Sequence, residues 1–134
     1  MRVHEVRSIE IEASYDDVFS FIADPSNLPR WAHAFESVSD SRARLRTPSG
    51  VANIEISVKS SLESGTIDWM LTFPDQTVAV AQSRVTRAPA SRVVYTFVLN
   101  APPVPLKEIE GALSKQVHTL ESELLQLKEV IERS

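Results

Sequence analysis

Few side chains in this sequence have the type and spacing that chemistry needs. His33 stands in the run Trp31-Ala32-His33-Ala34-Phe35. An imidazole titrates near neutrality, so it is a candidate general acid or base; the plainer reading is a partly exposed histidine at a turn. Asp68 lies between Ile67 and Trp69, and Glu55 between Ile54 and Ile56. Strand alternation points both carboxylates away from the apolar side, unless a bulge reverses them. Enclosed, either would have a raised pKa and serve as a base or polar anchor. Gln82 and Arg84 share a parity with Val78 and Val80. That turns them inward, where Arg84 could grip a ligand carbonyl or carboxylate; at an open end of the sheet they would simply meet water. Tyr95 follows Val93 in an inward series and brings a hydroxyl that needs a partner when buried. The catalytic candidates are therefore His33, Asp68 and Arg84.

Other patterns exclude more than they suggest. Arg42, Arg44 and Arg46 alternate on one side of a strand. They make either a phosphate-binding stripe or, as the simpler expectation, a charged face on an exposed strand that blocks edge-to-edge pairing. His4, His33 and His118 lack metal-ligand spacing, and no zinc-protease, nucleophile-elbow or phosphate-loop motif occurs. No metal and no cofactor is expected. The absence of cysteine rules out disulfides, thiolate zinc sites and a cysteine nucleophile. A net charge of -4 argues against a nucleic-acid footprint. The first residues, Met1-Arg2-Val3-His4-Glu5, lack an apolar signal core, and no apolar run reaches membrane-spanning length. A cytoplasmic location is the expectation.

The elements that must position these residues follow from period. Residues 3–12 alternate as a first strand. Ser14, with Asp17 three positions on, opens a helix carrying Val18, Phe19 and Ile22, which stops at Asp24 before Pro25. Residues 26–31 read as one more short helical turn. From Phe35 to Leu99 the period is two: Ile54, Ile56 and Val58; Ile67, Trp69, Leu71 and Phe73; Val78 and Val80; Val93, Tyr95, Phe97 and Leu99. Turns fall at residues 48–50, 63–65, 74–76 and 88–91. The proline-rich stretch at 101–105 ends the sheet, since proline cannot donate to a ladder. Beyond it Leu106, Ile109, Leu113, Val117, Leu120, Leu124, Leu127 and Ile131 recur at three and four, the stripe of one long helix.

The fold class is α+β. A curved antiparallel sheet of six to seven strands grips a long C-terminal helix, with two short helices after the first strand, in a single domain over residues 1–134. A one-faced sheet must cover its apolar side. A curved sheet around one helix leaves concave space that suits a small molecule. The lining expected is Trp31 and Phe35 from the corner, Ile54 and Ile56, Trp69 and Leu71, and Tyr95 and Phe97 from three strands. Gln82 and Arg84 join them at the polar end, and Leu113 and Val117 come from the helix.

The stretch Ile9-Glu10-Ile11-Glu12-Ala13-Ser14 running into Val18-Phe19-Ser20-Phe21-Ile22-Ala23-Asp24, then Asn27-Leu28-Pro29-Arg30-Trp31 and the closing helix, resembles the START-like, Bet v 1-like superfamily. Within it the chain is most similar in pattern to the bacterial polyketide cyclase/dehydrase and lipid-transport group. The resemblance spans essentially the whole chain and implies fold more than activity. It places the corner around His33 at a cavity mouth. Three functions follow as expectations: binding or carriage of a small hydrophobic molecule; a polyketide cyclase or dehydratase using His33, Asp68 or Arg84; or a protein-interaction module acting through the long helix. The helix stripe outruns its sheet in this reading, so Leu124, Leu127 and Ile131 are either partly exposed for a homodimer or covered by the N-terminal helices and the strand ends.

Overall fold

The computed structural model describes residues 4–47, 50–100 and 106–133; of residues 47 and 106–116 only the backbone is described. Strand β1 (His4–Ile11) leads into helix α1 (Tyr15–Ala23). The Ser14 hydroxyl accepts the Asp17 N–H at 3.2 Å, and Asp16 and Asp17 complement the positive end of the helix. Pro25 holds Asp24 in extended backbone, and the Asp24 carboxylate then accepts the Ser26 N–H and hydroxyl at 3.0 and 2.7 Å. A 3-10 turn (Pro25–Asn27) and a short helix α2 (Leu28–Trp31) follow.

Six strands come next: β2 (Phe35–Ser39), β3 (Arg42–Thr47), β4 (Gly50–Ser61), β5 (Thr66–Thr72), β6 (Val78–Ala88) and β7 (Arg92–Asn100). They form one antiparallel seven-stranded sheet in the order β1-β7-β6-β5-β4-β3-β2, so the last strand pairs with the first. Helix α3 (Leu106–Glu132) runs for 27 residues and packs on β1, α2 and α1. This is the helix-grip architecture. The positions at 48–49 and 101–105, expected as a turn and as the end of the sheet, lie outside the described residues, as does the side chain of Leu113.

The inner face is apolar across the sheet: Ile11 on β1, Ile54 and Ile56 on β4, Ile67 and Trp69 on β5, Val85 on β6, and Val93 and Tyr95 on β7 are all buried. Strand β6 departs from expectation. Val78 and Val80 are 51% and 43% exposed, whereas Ser83 and Val85 are buried and Ala81 is half-buried. The hairpin between β5 and β6 sets this register. Phe73 and Thr77 close the loop with a 2.9 Å backbone bond, pairing Thr72 with Val78 and Met70 with Val80. Cross-strand partners share a face, and Met70 is on the outer one. The valines suit a pleated strand without being buried, because β-propensity and burial are separate demands. Gln82 and Arg84, on the same parity, face outward.

Two further expectations are corrected. Strand β3 is not an edge; it pairs with β2 and β4, and the edges are β1 and β2. Two of its exposed arginines are matched by a neighbour: Arg44 Nε lies 3.3 Å and Arg46 Nε 3.9 Å from the Glu36 carboxylate. On α3, Leu124, Leu127 and Ile131 are not left over for a partner. They are 2%, 0% and 6% exposed, because β1 and α1 extend the surface that the sheet alone would offer. Leu125, between them, faces out.

At the turn between β4 and β5, Gly65 has φ +79 and its carbonyl accepts the Val85 N–H at 2.8 Å. A Cβ there would fall on the Val85 carbonyl oxygen and 2.9 Å from the Tyr15 hydroxyl. That hydroxyl donates to Leu62 O at 2.7 Å, and the Arg87 guanidinium covers the Tyr15 ring at 4.0 Å. Glycine is therefore what lets α1 close against this end of the sheet.

Candidate functional site

The side chains of α2, β5 and β7 meet in a closed circuit of four rings. Trp31 closes α2. It lies 6.3 Å from Trp69 of β5 and 6.3 Å, edge-on at 89°, from Tyr95 of β7. Phe97 completes the circuit, 6.2 Å from Trp69 and 6.5 Å from Tyr95. Such tilted and edge contacts are the favoured aromatic geometries. Strand β6 runs between β5 and β7, and its inward residues there are Ala81, opposite Trp69, and Ser83, opposite Phe97. Both are small, so the central strand contributes little bulk between the rings of β5 and β7.

Three of the four rings carry a polar hydrogen with no partner. Trp31 Nε1, Trp69 Nε1 and the Tyr95 hydroxyl are all sealed from solvent and make no hydrogen bond. Ser83 Oγ neighbours the phenol; its own proton goes to Ile67 O at 2.7 Å, so towards Tyr95 it can act only as an acceptor. Burial dominates and pushes the Tyr95 phenol well above its usual range. Tyr95 is thus a permanent neutral donor at any physiological pH.

The expected lining sorts as follows. Trp31, Ile54, Ile56, Trp69 and Tyr95 are buried, Val117 is buried on α3, and Phe35, Leu71 and Phe97 are half-buried. Asp68 stays on the outer parity of β5, paired with Gln82, and Glu55 is exposed on β4. His33 is exposed at the α2–β2 corner; its backbone is what matters there. Its N–H donates to Glu123 Oε2 at 2.6 Å, and its carbonyl accepts from Arg46 Nη1 at 2.6 Å. Burial raises the Glu123 pKa, opposed by the His33 N–H, the His33 charge and the Ala34 N–H. His33, Asp68 and Arg84 are not brought together, and none of them joins the ring circuit.

Strand alternation also places charged residues on the inner face. Glu5 and Arg7 share a parity with Ile9 and Ile11, so they belong to the inner face, level with Leu99 and Phe97 of β7. Arg7 Nη1 lies 3.0 Å from the Glu5 carboxylate, and Arg7 Nε 3.3 Å from Glu121 of α3. The charge nearest Phe97 is already balanced. Glu123 had no sequence signal beyond its position on a helix. A separate surface cleft of about 490 Å³ lies away from the rings, among Glu12, Ser14, Asp17, Phe21 and Ile131. Among the described residues no group of three or more His, Asp or Glu side chains could hold a metal, and no helix is long and apolar enough to cross a membrane.

A helix gripped by a seven-stranded antiparallel sheet, with a ring-lined concave face, defines the START-like class of ligand-binding fold. The model of the family "Polyketide cyclase / dehydrase and lipid transport" matches residues 2–132, and the chain belongs to that family. None of the curated proteins compared with it matches the chain. Solved structures agree on the fold. The Zhui aromatase/cyclase from a Streptomyces species is 14% identical with a TM-score of 0.72, covering 97% of this chain and 93% of that one. A START superfamily protein from Mycobacterium smegmatis is 15% identical with a TM-score of 0.66, covering 98% and 99%. The Aha1 dimer from Colwellia psychrerythraea is 16% identical with a TM-score of 0.62, covering 98% and 97%.

Proposed function

We propose that this protein binds or carries a small hydrophobic molecule on the concave face of its sheet, with residues 1–134 acting as one helix-grip domain. The supporting observation is the ring circuit of Trp31, Trp69, Tyr95 and Phe97 set over the small residues Ala81 and Ser83. Aromatic walls with a few unmatched polar atoms are the usual composition of a small-molecule site. Half-buried Leu71, Phe73 and Leu99 extend the apolar floor beyond the rings.

The family's name and the aromatase/cyclase neighbour keep a cyclase or dehydratase as the second reading. Binding without chemistry is favoured because general acid–base work needs a titrating group within reach of the substrate. His33 and Arg84 are exposed, and Asp68 points to the outer parity. An anilinonaphthalene dye tests the proposal. Saturable one-to-one enhancement at micromolar concentration is expected, and displacement of the dye by hydrophobic metabolites then ranks natural ligands. Emission that rises linearly without saturation would refute it.

A further inference from the structure

Resting on that reading, we infer that the α2–β2 corner is the lid through which the ligand reaches the ring circuit, and that Glu123, the α3 carboxylate beneath it, eases the lid open. The circuit is closed, so one ring must move to admit anything. Trp69, Tyr95 and Phe97 stand on β5 and β7, strands paired on both sides. Of the four rings only Trp31 stands off the sheet, on α2. That helix has four residues and no side-chain cap, and is closed by the Ala32 N–H on Leu28 O at 2.7 Å. So short a helix does not hold itself in place. Other elements fasten its end. Arg46 of β3 donates to His33 O at 2.6 Å, and Glu123 accepts the N–H groups of His33, at 2.6 Å, and of Ala34. The buried side chains of Leu28 and Trp31 draw the corner shut.

Glu123 works against that apolar seat. Beneath the corner its charge has lost hydration. The two N–H groups and the His33 charge return only part of the loss, so its pKa stays above the reference 4.5. Lifting the corner returns the carboxylate to water. The shut state therefore holds the proton more tightly than the lifted state, and shutting becomes less favourable as pH rises through the shut-state pKa. A neutral amide at this position has no charge to rehydrate. The surrounding charges leave Glu123 in control. Arg30 of α2 lies over the Phe21 ring, and Glu36 of β2 pairs with Arg44 and Arg46. Arg7 of β1 is engaged by Glu5 and Glu121. On α3 the residues three and four positions away, Thr119, Leu120, Gln126 and Leu127, are uncharged. The charge that acts on the carboxylate is His33, and it favours ionisation.

Stopped-flow mixing of the full chain with N-phenyl-1-naphthylamine, a neutral hydrophobic dye, between about pH 4 and pH 7 tests this. Association and dissociation rates should rise together with pH, several-fold, while their ratio stays nearly level, because a lid sets access and not affinity. Glu123→Gln should give the slow rates at every pH. His33→Gln should keep the rise but move it to higher pH, since the charge that favours ionisation is gone. Amide hydrogen exchange reads the lid without a ligand. Corrected for the intrinsic rate, protection of the His33 and Ala34 N–H groups should fall as pH rises in the wild type and stay level in Glu123→Gln. The Val85 N–H, bonded to Gly65 O, should change less. Rates indifferent to pH, rates that fall as pH rises, or a rise that survives Glu123→Gln would overturn the inference and leave binding intact. Equal loss of protection at His33 and Val85 would do the same, since it reports the stability of the whole fold. A dye that binds neither the wild type nor the variants overturns the proposed function, and the inference with it.

Discussion

Tyr95 concentrates the tension between stability and binding in one side chain. It is fully buried, and its hydroxyl has no partner. Tyr95→Phe removes that unmatched group and keeps the ring contacts with Trp31 and Phe97. The variant should be more stable by roughly 1 kcal/mol, seen as a higher Tm in thermal melts. A lower Tm would mean that the hydroxyl is bonded to Ser83 in solution. Glu123 carries a second prediction. Its folded pKa is raised above the reference 4.5 by burial. The folded state then holds this proton more tightly than the unfolded chain does. Stability from this group is present below the unfolded pKa and is lost as pH rises through the folded pKa. Glu123→Gln keeps an acceptor for the His33 N–H without the charge. The wild type should lose stability relative to the variant as pH rises from below 4.5 into the mildly acid range. Parallel pH profiles would contradict this. Neither effect was legible in sequence. Tyr95 was legible as a buried hydroxyl that needs a partner; that Ser83, which donates to Ile67 O, is the polar side chain beside it follows only from the β5–β6–β7 register.

Among the elements, strand parity is legible wherever bulky apolar residues and burial coincide, as at Ile67 and Trp69 on β5 and Val93 and Tyr95 on β7. It failed on β6. There Val78 and Val80 occupy outward positions for their fit to a pleated strand, while the small residues Ala81 and Ser83 are inward between the rings of β5 and β7. Composition cannot distinguish a small residue that makes room from one that is merely exposed. The β4–β5 turn was legible as a turn. That it requires glycine follows only from its contact with β6. Gly65→Ala places a Cβ against the Val85 carbonyl at positive φ. The loss should exceed the ~1–3 kcal/mol typical of strained backbone alone. Denaturant unfolding would measure it, and a loss below ~1 kcal/mol would show that the turn relaxes freely.

For the whole molecule, the order of elements was readable from the change of period at Phe35 and again after Leu99. The sequence left two ways to cover the end of α3, a second copy or the N-terminal elements, and the structure takes the second. The helix stripe that looked spare is the seam joining α3 to β1 and α1. Leu127→Glu, at a position 0% exposed, should therefore unfold the protein rather than dissociate a dimer. A buried charge without a partner is strongly unfavourable. Circular dichroism with light scattering would separate the two outcomes. A folded monomer from a dimeric parent would restore the dimer.

The central claim is that a hydrophobic molecule sits at the ring circuit and not on the outer face, where Met70, Val78 and Val80 are exposed. Contact quenching by a brominated flat hydrocarbon locates it most directly, because both tryptophans belong to the circuit. The account predicts that the emission of the tryptophans falls together along one saturable curve at a one-to-one ratio. Saturable binding that leaves tryptophan emission unquenched would place the ligand elsewhere and contradict the account.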